Sequence, residues 1–274
     1  MTSDWFDIWQ VQDEVYVIEE RGHVQSYLVN GSEVSALIDT GTGFGDLRAA
    51  VQPLVRDRVM ALNTHWHYDH IGGNADFDRV GIHRKEEALL SADVSGAVRF
   101  YLEMCGRLGW PLPEGVSPEG FRLRPSAATF VFDHGDRFDL GGRTLEAIHA
   151  PGHSPGSTCF LDSLTGALFV GDVVYEGSLY AQFEDADLGQ YVATLRMLAR
   201  RENSFGRIYP GHGPFPLLKG LMGRALELME RVVGGALLGQ EVTEPWGPCV
   251  LYEWRGLSAY DRLPNSAGLP LIGG

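Results

Sequence analysis

Residues 65–70 have the sequence HWHYDH, which places four potential metal ligands within six positions: His65, His67, Asp69 and His70. In an extended loop alternate side chains point to the same side, and a turn would bring His70 round to join them. A single zinc ion usually takes three or four ligands, so this loop nearly fills one site and begins a second. The run lies inside the chain, directly after an apolar stretch at 59–62, which favours a metal centre over an expression tag or a structural histidine.

Three further candidate ligands follow glycines at the ends of apolar stretches. They are His153 after Gly152, Asp172 after Gly171 and His212 after Gly211. Glycine allows the backbone to turn sharply and to come close to a bound ion. Because these residues are widely separated in the sequence, the site can close only in the folded chain, unlike that of a zinc finger.

The elements that must position these loops alternate between strands and helices. Apolar and β-branched stretches predict strands at 15–18, 27–29, 34–38, 59–62, 129–132, 145–148, 158–161, 167–170 and 248–254. Helical periodicity predicts helices at about 188–200 and 217–233. Two strand-rich runs, each followed by helices, predict an α/β fold with two sheets face to face and helices outside.

Residues 84–124 lie between the first metal loop and His153 and show helical periodicity up to a break at 109–113. Two interpretations stay open for this segment. It can form outer helices that pack on a sheet, or a helical lid near the metals. In a lid, the side chains that wall an acyl-binding pocket would be Phe100, Tyr101, Met104 and Trp110.

Composition favours one enzyme domain. The chain has 274 residues, 44% of them hydrophobic, with no internal repeat, which predicts a single layered domain over 1–274. The first residues lack the pattern of a signal peptide and no apolar run is long enough for a membrane span, so we expect a cytoplasmic protein. A net charge of −14 argues against nucleic acid as a partner. Three scattered cysteines argue against a disulfide framework, and nothing in the sequence specifies an oligomeric state.

The order of these motifs resembles that of the metallo-β-lactamase superfamily over most of the chain. The matching residues are Asp39-Thr40-Gly41, HxHxDH at 65–70, Pro-Gly-His at 151–153, Gly-Asp at 171–172 and Pro-Gly-His at 210–212. The resemblance implies a four-layer αβ/βα sandwich with a dinuclear site at one edge. It implies that one metal is held by His65, His67 and His153, and the other by Asp69, His70 and His212, with Asp172 bridging and Asp39 supporting the metal loop.

Two Zn²⁺ ions suit such ligands, and Fe, Mn or Co can bind the same side chains. Two close metals lower the pKa of a shared water toward neutrality. We therefore expect a hydrolase in which a metal-bridging hydroxide attacks the substrate carbonyl, with Asp69 as its orienter and proton acceptor. Tyr175, Ser178 and Tyr180 follow the bridging position closely enough to face the cleft, and Tyr175 is the candidate donor to the developing oxyanion.

Residues outside the metal motifs are similar to the acyl-coenzyme A thioesterases that contain a metallo-β-lactamase domain, at 77–80, 136–141, 151–157 and 171–179. This similarity implies a small ester or thioester substrate of the acyl-coenzyme A kind. A lactonase acting on acyl-homoserine lactones is the alternative. A hydroxyacylglutathione hydrolase is less favoured because residues 173–179 do not match its glutathione-binding segment, and a β-lactamase because Asp172 stands where Cys or Ser is usual. A metal-binding protein without activity is the non-enzymatic alternative.

Overall fold

The computed structural model describes residues 5–264, which form three sheets flanked by helices. The strands are β1 (Asp7–Gln12), β2 (Val15–Glu19), β3 (Gln25–Asn30), β4 (Val34–Ile38), β5 (Arg58–Leu62), β6 (Val80–His83), β7 (Phe130–Phe132), β8 (Arg137–Asp139), β9 (Thr144–His149), β10 (Thr158–Asp162), β11 (Leu168–Gly171), β12 (Ser178–Ala181), β13 (Ile208–Pro210), β14 (Gln240–Glu244), β15 (Gly247–Trp254) and β16 (Leu257–Asp261). The α-helices are α1 (Leu47–Val51), α2 (Tyr68–Ile71), α3 (Ser95–Leu108), α4 (Leu188–Ala199) and α5 (Leu221–Val233).

The first sheet runs in sequence order from β1 to β7. Its first four strands pair antiparallel, and β4, β5, β6 and β7 pair parallel. Parallel neighbours end at the same edge, so the loops after β4 and β5 lie side by side. These loops carry Asp39 and the HWHYDH run, which places both at one edge of the sheet.

The second sheet has the order β13-β11-β10-β9-β8. Strands β11 and β13 are parallel neighbours, so Asp172 and His212, which follow them, emerge at the same edge. His153 lies in the turn between the antiparallel strands β9 and β10. Three of the candidate ligands therefore come from one edge of this sheet.

A core of alternating side chains joins the two sheets. In β4, Ala36 and Ile38 belong to the core between the sheets, whereas Leu37 points to the opposite face and packs with the outer helices. Aromatic side chains such as Phe169 and Tyr209 fill the same central layer from the second sheet. Helices α4 and α5 cover the outer face of that sheet. The predicted arrangement of two facing sheets with helices outside is confirmed.

Of the third sheet only one strand was predicted, at 248–254, which is β15; the other three strands have four or five residues each and carry several polar side chains, so they were missed. The sheet has the order β12-β16-β15-β14. The predicted helix at 217–233 begins only at Leu221, because Gly220 adopts a left-handed backbone (φ +83°) that an α-helix cannot continue through. Within residues 84–124 the helical part is α3, whose buried face packs into the core of the first half. A lid role for it and the domain bounds 1–274 stay predictions.

The three cysteines, Cys105, Cys159 and Cys249, are buried free thiols, which confirms that the chain has no disulfide framework. Between residues 5 and 264 the structure contains no helix with the length and apolar character needed to cross a bilayer. The cytoplasmic location stays a prediction.

Candidate metal centre

The structure brings the seven candidate ligands together at the shared edge of the two large sheets. Their ligand atoms form three overlapping groups, each with all atoms within 4.8 Å of one another. The groups are His65–His67–His153, His65–His70–Asp172 and Asp69–His70–His212. The first and last groups match the two metal sites that the sequence resemblance implied, and Asp172 lies between them.

Each of the five imidazoles has one nitrogen fixed on the outer side by a hydrogen bond. The partners are the carbonyl of Tyr180 for His153 Nδ1 (3.1 Å), the carbonyl of His23 for His212 Nδ1 (2.7 Å), the carboxylate of Asp39 for His70 Nδ1 (2.8 Å), the carboxylate of Asp185 for His67 Nε2 (3.4 Å) and the hydroxyl of Thr64 for His65 Nδ1 (3.0 Å). Carbonyls and carboxylates only accept, and the Thr64 hydroxyl already donates to Asp39. The outer nitrogens therefore carry the hydrogens.

The inner nitrogens, which carry lone pairs when the imidazoles are neutral, face one another and carboxylate oxygens. His67 Nδ1 faces His153 Nε2 at 3.0 Å, and His212 Nε2 lies 3.3 Å from an oxygen of Asp172. In the described part of the chain, His65 Nε2, His70 Nε2 and Asp172 Oδ1 are buried without a hydrogen-bond partner. Converging lone pairs repel unless a cation lies between them, so this donor set fits divalent metal ions.

The charges of the centre also suit metal binding. Burial lowers the pKa of His153 to about 4 and holds that of His65 well below its usual range, so both imidazoles stay neutral. Burial opposes ionisation of Asp69, but His70 and His212 together outweigh it and bring the pKa of Asp69 down to about 2. Neutral imidazoles and ionised carboxylates are the forms that bind metals. The neighbouring carboxylates, against the effect of burial, raise the pKa of His70 and bring that of His212 to about 10, so a bound metal would displace a proton from each of these two imidazoles.

Asp39 lies behind the metal loop, where the resemblance implied a supporting role. Its carboxylate accepts hydrogen bonds from the backbone N–H of Thr64 (2.7 Å) and from His70 (2.8 Å). Its own backbone is left-handed (φ +60°), which directs the side chain back under the loop. Asp39 therefore connects the end of β4 to both sides of the HWHYDH run.

Two carboxyl groups near the centre were missed from the sequence. Asp185 accepts from the indole N–H of Trp66 (2.9 Å) as well as lying beside His67. Glu86 is fully buried and accepts from the Ser154 hydroxyl (2.5 Å) and the Gly156 N–H (2.7 Å), which fixes the loop that carries His153. Neither residue stands in a ligand-like spacing, so no local signal marked them.

Of the three residues predicted to face the cleft, Tyr175 lies beside the metal centre, whereas Ser178 and Tyr180, on β12, contact β16 of the third sheet. The ring of Tyr175 is buried and lies 5.7 Å from that of His212, beside the centre. Ser178 instead pairs with the Ser258 hydroxyl at 2.6 Å between two strands. Tyr180 is half-buried and stacks on Tyr260 at 5.5 Å.

The four side chains suggested as walls of an acyl-binding pocket differ in how deeply they are buried. Tyr101 is buried, and its hydroxyl contacts His23 at 2.5 Å, while its ring packs on Tyr68 of the metal loop at 5.4 Å. Phe100 and Met104 are half-buried, and Trp110 is 44% exposed. Helix α3 therefore braces the metal loop from outside through Tyr101.

Comparison with known proteins agrees with this geometry. The human protein named acyl-coenzyme A thioesterase MBLAC2 is 34% identical over 229 residues, which cover 76% of this chain and 81% of that protein. The solved structure titled TTHA1623 in a di-iron-bound form is 27% identical with a TM-score of 0.53, over 73% of this chain and 92% of the other. BJP-1, a subclass B3 metallo-beta-lactamase of Bradyrhizobium japonicum, shares the fold at 20% identity and a TM-score of 0.59, over 84% of this chain and 93% of the other.

The family described as the metallo-beta-lactamase superfamily matches residues 20–212, which include every candidate ligand. This superfamily is hydrolytic, so the prediction of a hydrolytic enzyme is confirmed. The chain belongs to the metallo-beta-lactamase superfamily.

Proposed function

We propose that this protein is a metal-dependent thioesterase that hydrolyses acyl-coenzyme A or a similar acyl thioester. The observation that carries the metal dependence is the convergence of inner imidazole lone pairs on the carboxylates of Asp69 and Asp172. The thioester preference is supported by the 34% identity to proteins named acyl-coenzyme A thioesterase.

The seven side chains would hold two divalent cations, with Zn²⁺ as our first choice. Two such cations would lower the pKa of a shared water toward neutrality and polarise the carbonyl of the substrate. Asp69 is mostly buried at the centre, with an oxygen 3.4 Å from His212 Nε2, so its second oxygen can orient the attacking water and accept its proton. We assign this role to Asp69.

Tyr175 would donate a hydrogen bond to the oxyanion that forms on the substrate. Burial raises the pKa of its phenol well above the usual value, so the hydroxyl keeps its proton. Its ring lies against His212, which places the side chain at the rim of the metal centre. A donor fixed there stabilises the charge that develops in the transition state.

Metal content is the first test. Protein purified without chelator and reconstituted with Zn²⁺ should hold two ions per chain, measured by elemental analysis. The His65→Ala/His67→Ala double variant should bind fewer. A stoichiometry that stays at or below one after reconstitution would contradict the dinuclear proposal.

A substrate panel is the second test. The metal-loaded protein is assayed with an acyl-coenzyme A, an acyl-homoserine lactone of the same acyl length, lactoylglutathione and a β-lactam. We expect kcat/KM to be highest for the thioester of coenzyme A. A higher value for the lactone would make the protein a lactonase, and no turnover of any substrate would favour the non-enzymatic alternative.

A further inference from the structure

Four aromatic side chains form a continuous surface that begins at the metal centre; we call Phe183, Tyr180, Tyr260 and Trp246 the aromatic wall. The ring of Phe183 lies 6.2 Å from that of the ligand His67. Tyr180 stacks between Phe183 (6.3 Å) and Tyr260 (5.5 Å), and the edge of Trp246 contacts Tyr180 at 5.5 Å. The wall therefore runs outward from the metal centre.

Most of the wall lies outside the protein interior, and Tyr260 is its one buried member. None of its four residues belongs to the three hydrophobic cores of the described chain. Phe183, Tyr180 and Trp246 are only half-buried, so parts of their faces stay open to contact. A contiguous aromatic surface outside the core is typical of a binding site.

The wall is held firmly in relation to the metal ligands. The carbonyl of Tyr180 accepts the hydrogen bond from His153 Nδ1, so the strand carrying its ring is fixed to a ligand. The guanidinium of Arg262 donates to the carbonyls of Phe183 (3.1 Å) and Ala186 (2.6 Å), which fixes the loop after β12. Rigid support of this kind is what a specificity surface requires.

We propose that the aromatic wall binds the acyl chain of the thioester and determines the preference for acyl length, an inference that rests on the proposed function. The reacting carbonyl must lie at the metal centre. The acyl chain and the thiol part, both attached to its carbon, must therefore extend from the centre in different directions. The wall offers aromatic carbon surface that begins at Phe183, whose ring lies 6.2 Å from that of His67. An acyl chain matches this surface, whereas the thiol part of coenzyme A is polar and anionic and requires polar or cationic partners.

This assignment places the acyl specificity partly outside the residues that define the family. Trp246, in the turn between β14 and β15, and Tyr260, on β16, lie beyond the match at 20–212. Relatives that share the metal motifs can therefore differ in acyl preference through this sheet alone.

The test compares kcat/KM for acetyl, butanoyl and octanoyl thioesters in metal-loaded protein. Each series is made twice, with coenzyme A and with N-acetylcysteamine, which lacks the nucleotide. The variants are Phe183→Ala and Trp246→Ala. The control is Trp254→Ala, because Trp254 is at the far end of β15, the strand that follows Trp246, and packs against the core and Arg231. Trp246→Leu and Phe183→Leu are the substitutes if an alanine variant does not fold.

In the natural protein each buried methylene should raise kcat/KM up to roughly fourfold. In the wall variants the octanoyl-to-acetyl ratio should fall by roughly tenfold or more, equally for both thiol parts, and the Trp254→Ala ratio should not change. An unchanged ratio in the wall variants, or an equal loss in the control, would overturn the proposal. A loss seen only with coenzyme A and independent of acyl length would instead assign the wall to the nucleotide. Absence of any thioester hydrolysis by the natural protein would refute the proposed function itself.

Discussion

The carboxylate of Asp39 lies 2.8 Å from Nδ1 of His70, and both side chains are almost completely buried. The same carboxylate accepts from the backbone N–H of Thr64, so a single residue sets the position of the metal loop and the orientation of one of its ligands. The Nε2 atom of His70 is thereby directed at Asp172, 3.3 Å away. The hydrogen bond to Asp39 therefore fixes the orientation of this ligand.

Asp39→Asn should weaken metal binding by about 10- to 100-fold, as is usual when the partner of a metal-binding histidine is lost. An amide cannot accept from His70 and Thr64 with both of its terminal atoms. Asn tolerates the left-handed backbone at this position, so a strain effect is avoided. Competition with a chromogenic chelator measures the affinity. Asp46→Asn, at the start of α1, is the control, and an equal loss in that variant would contradict the role of Asp39.

Asp69→Asn should reduce kcat by at least about a hundredfold, because an amide cannot accept the proton of the attacking water. It is also a poorer metal ligand, so activity is compared at equal metal content, checked by elemental analysis. Asp78→Asn, at an exposed position nearby in the sequence, should retain activity. Turnover close to that of the natural protein in a fully metal-loaded Asp69→Asn variant would remove Asp69 from the mechanism.

The parts of the fold and of the metal centre that could be predicted are those marked by a pattern of neighbouring residues in the sequence. The HWHYDH run and the three glycine-ligand pairs could be predicted from the sequence because each follows an apolar strand. The same strands predicted the two facing sheets. The role of Asp185 could not be predicted, because its contact with His67 joins residues that are far apart in the sequence and meet only in the folded chain. Glu86 stands beside Arg84 and Lys85 and resembles a solvated surface residue, yet the chain buries it completely.

Tyr175→Phe should lower kcat by about a hundredfold and change KM little, because it removes a donor used chiefly in the transition state. The ring that packs against His212 is retained, so the metal site should be undisturbed. Tyr252→Phe, on the third sheet, is the control for loss of a phenol. A loss confined to KM would show that Tyr175 binds the substrate without stabilising the oxyanion.

Glu86 should make stability depend on pH. Burial raises the pKa of its carboxyl from 4.5 to about 7, against the opposing hydrogen bonds from Ser154 and Gly156. The protonated form is the one favoured in the folded state, and one of its oxygens, Oε2, has no hydrogen-bond partner in the described chain. The contribution to stability is therefore complete below pH 4.5 and is lost as the pH rises to about 7.

Glu86→Gln keeps the shape of the protonated side chain and does not titrate. Between pH 5 and 8 the free energy of unfolding of the natural protein should fall by about 2–3 kcal/mol relative to that of the variant, at 1.36 kcal/mol for each pH unit. Denaturant unfolding of both proteins at matched metal content measures the difference. The part of the pH dependence that comes from the metal ligands is then the same in both proteins and cancels. Glu87→Gln changes the neighbouring exposed position, and its free energy of unfolding should depend on pH as that of the natural protein does. Parallel curves for Glu86→Gln as well would show that the Glu86 carboxyl titrates in the folded protein as it does in the unfolded chain.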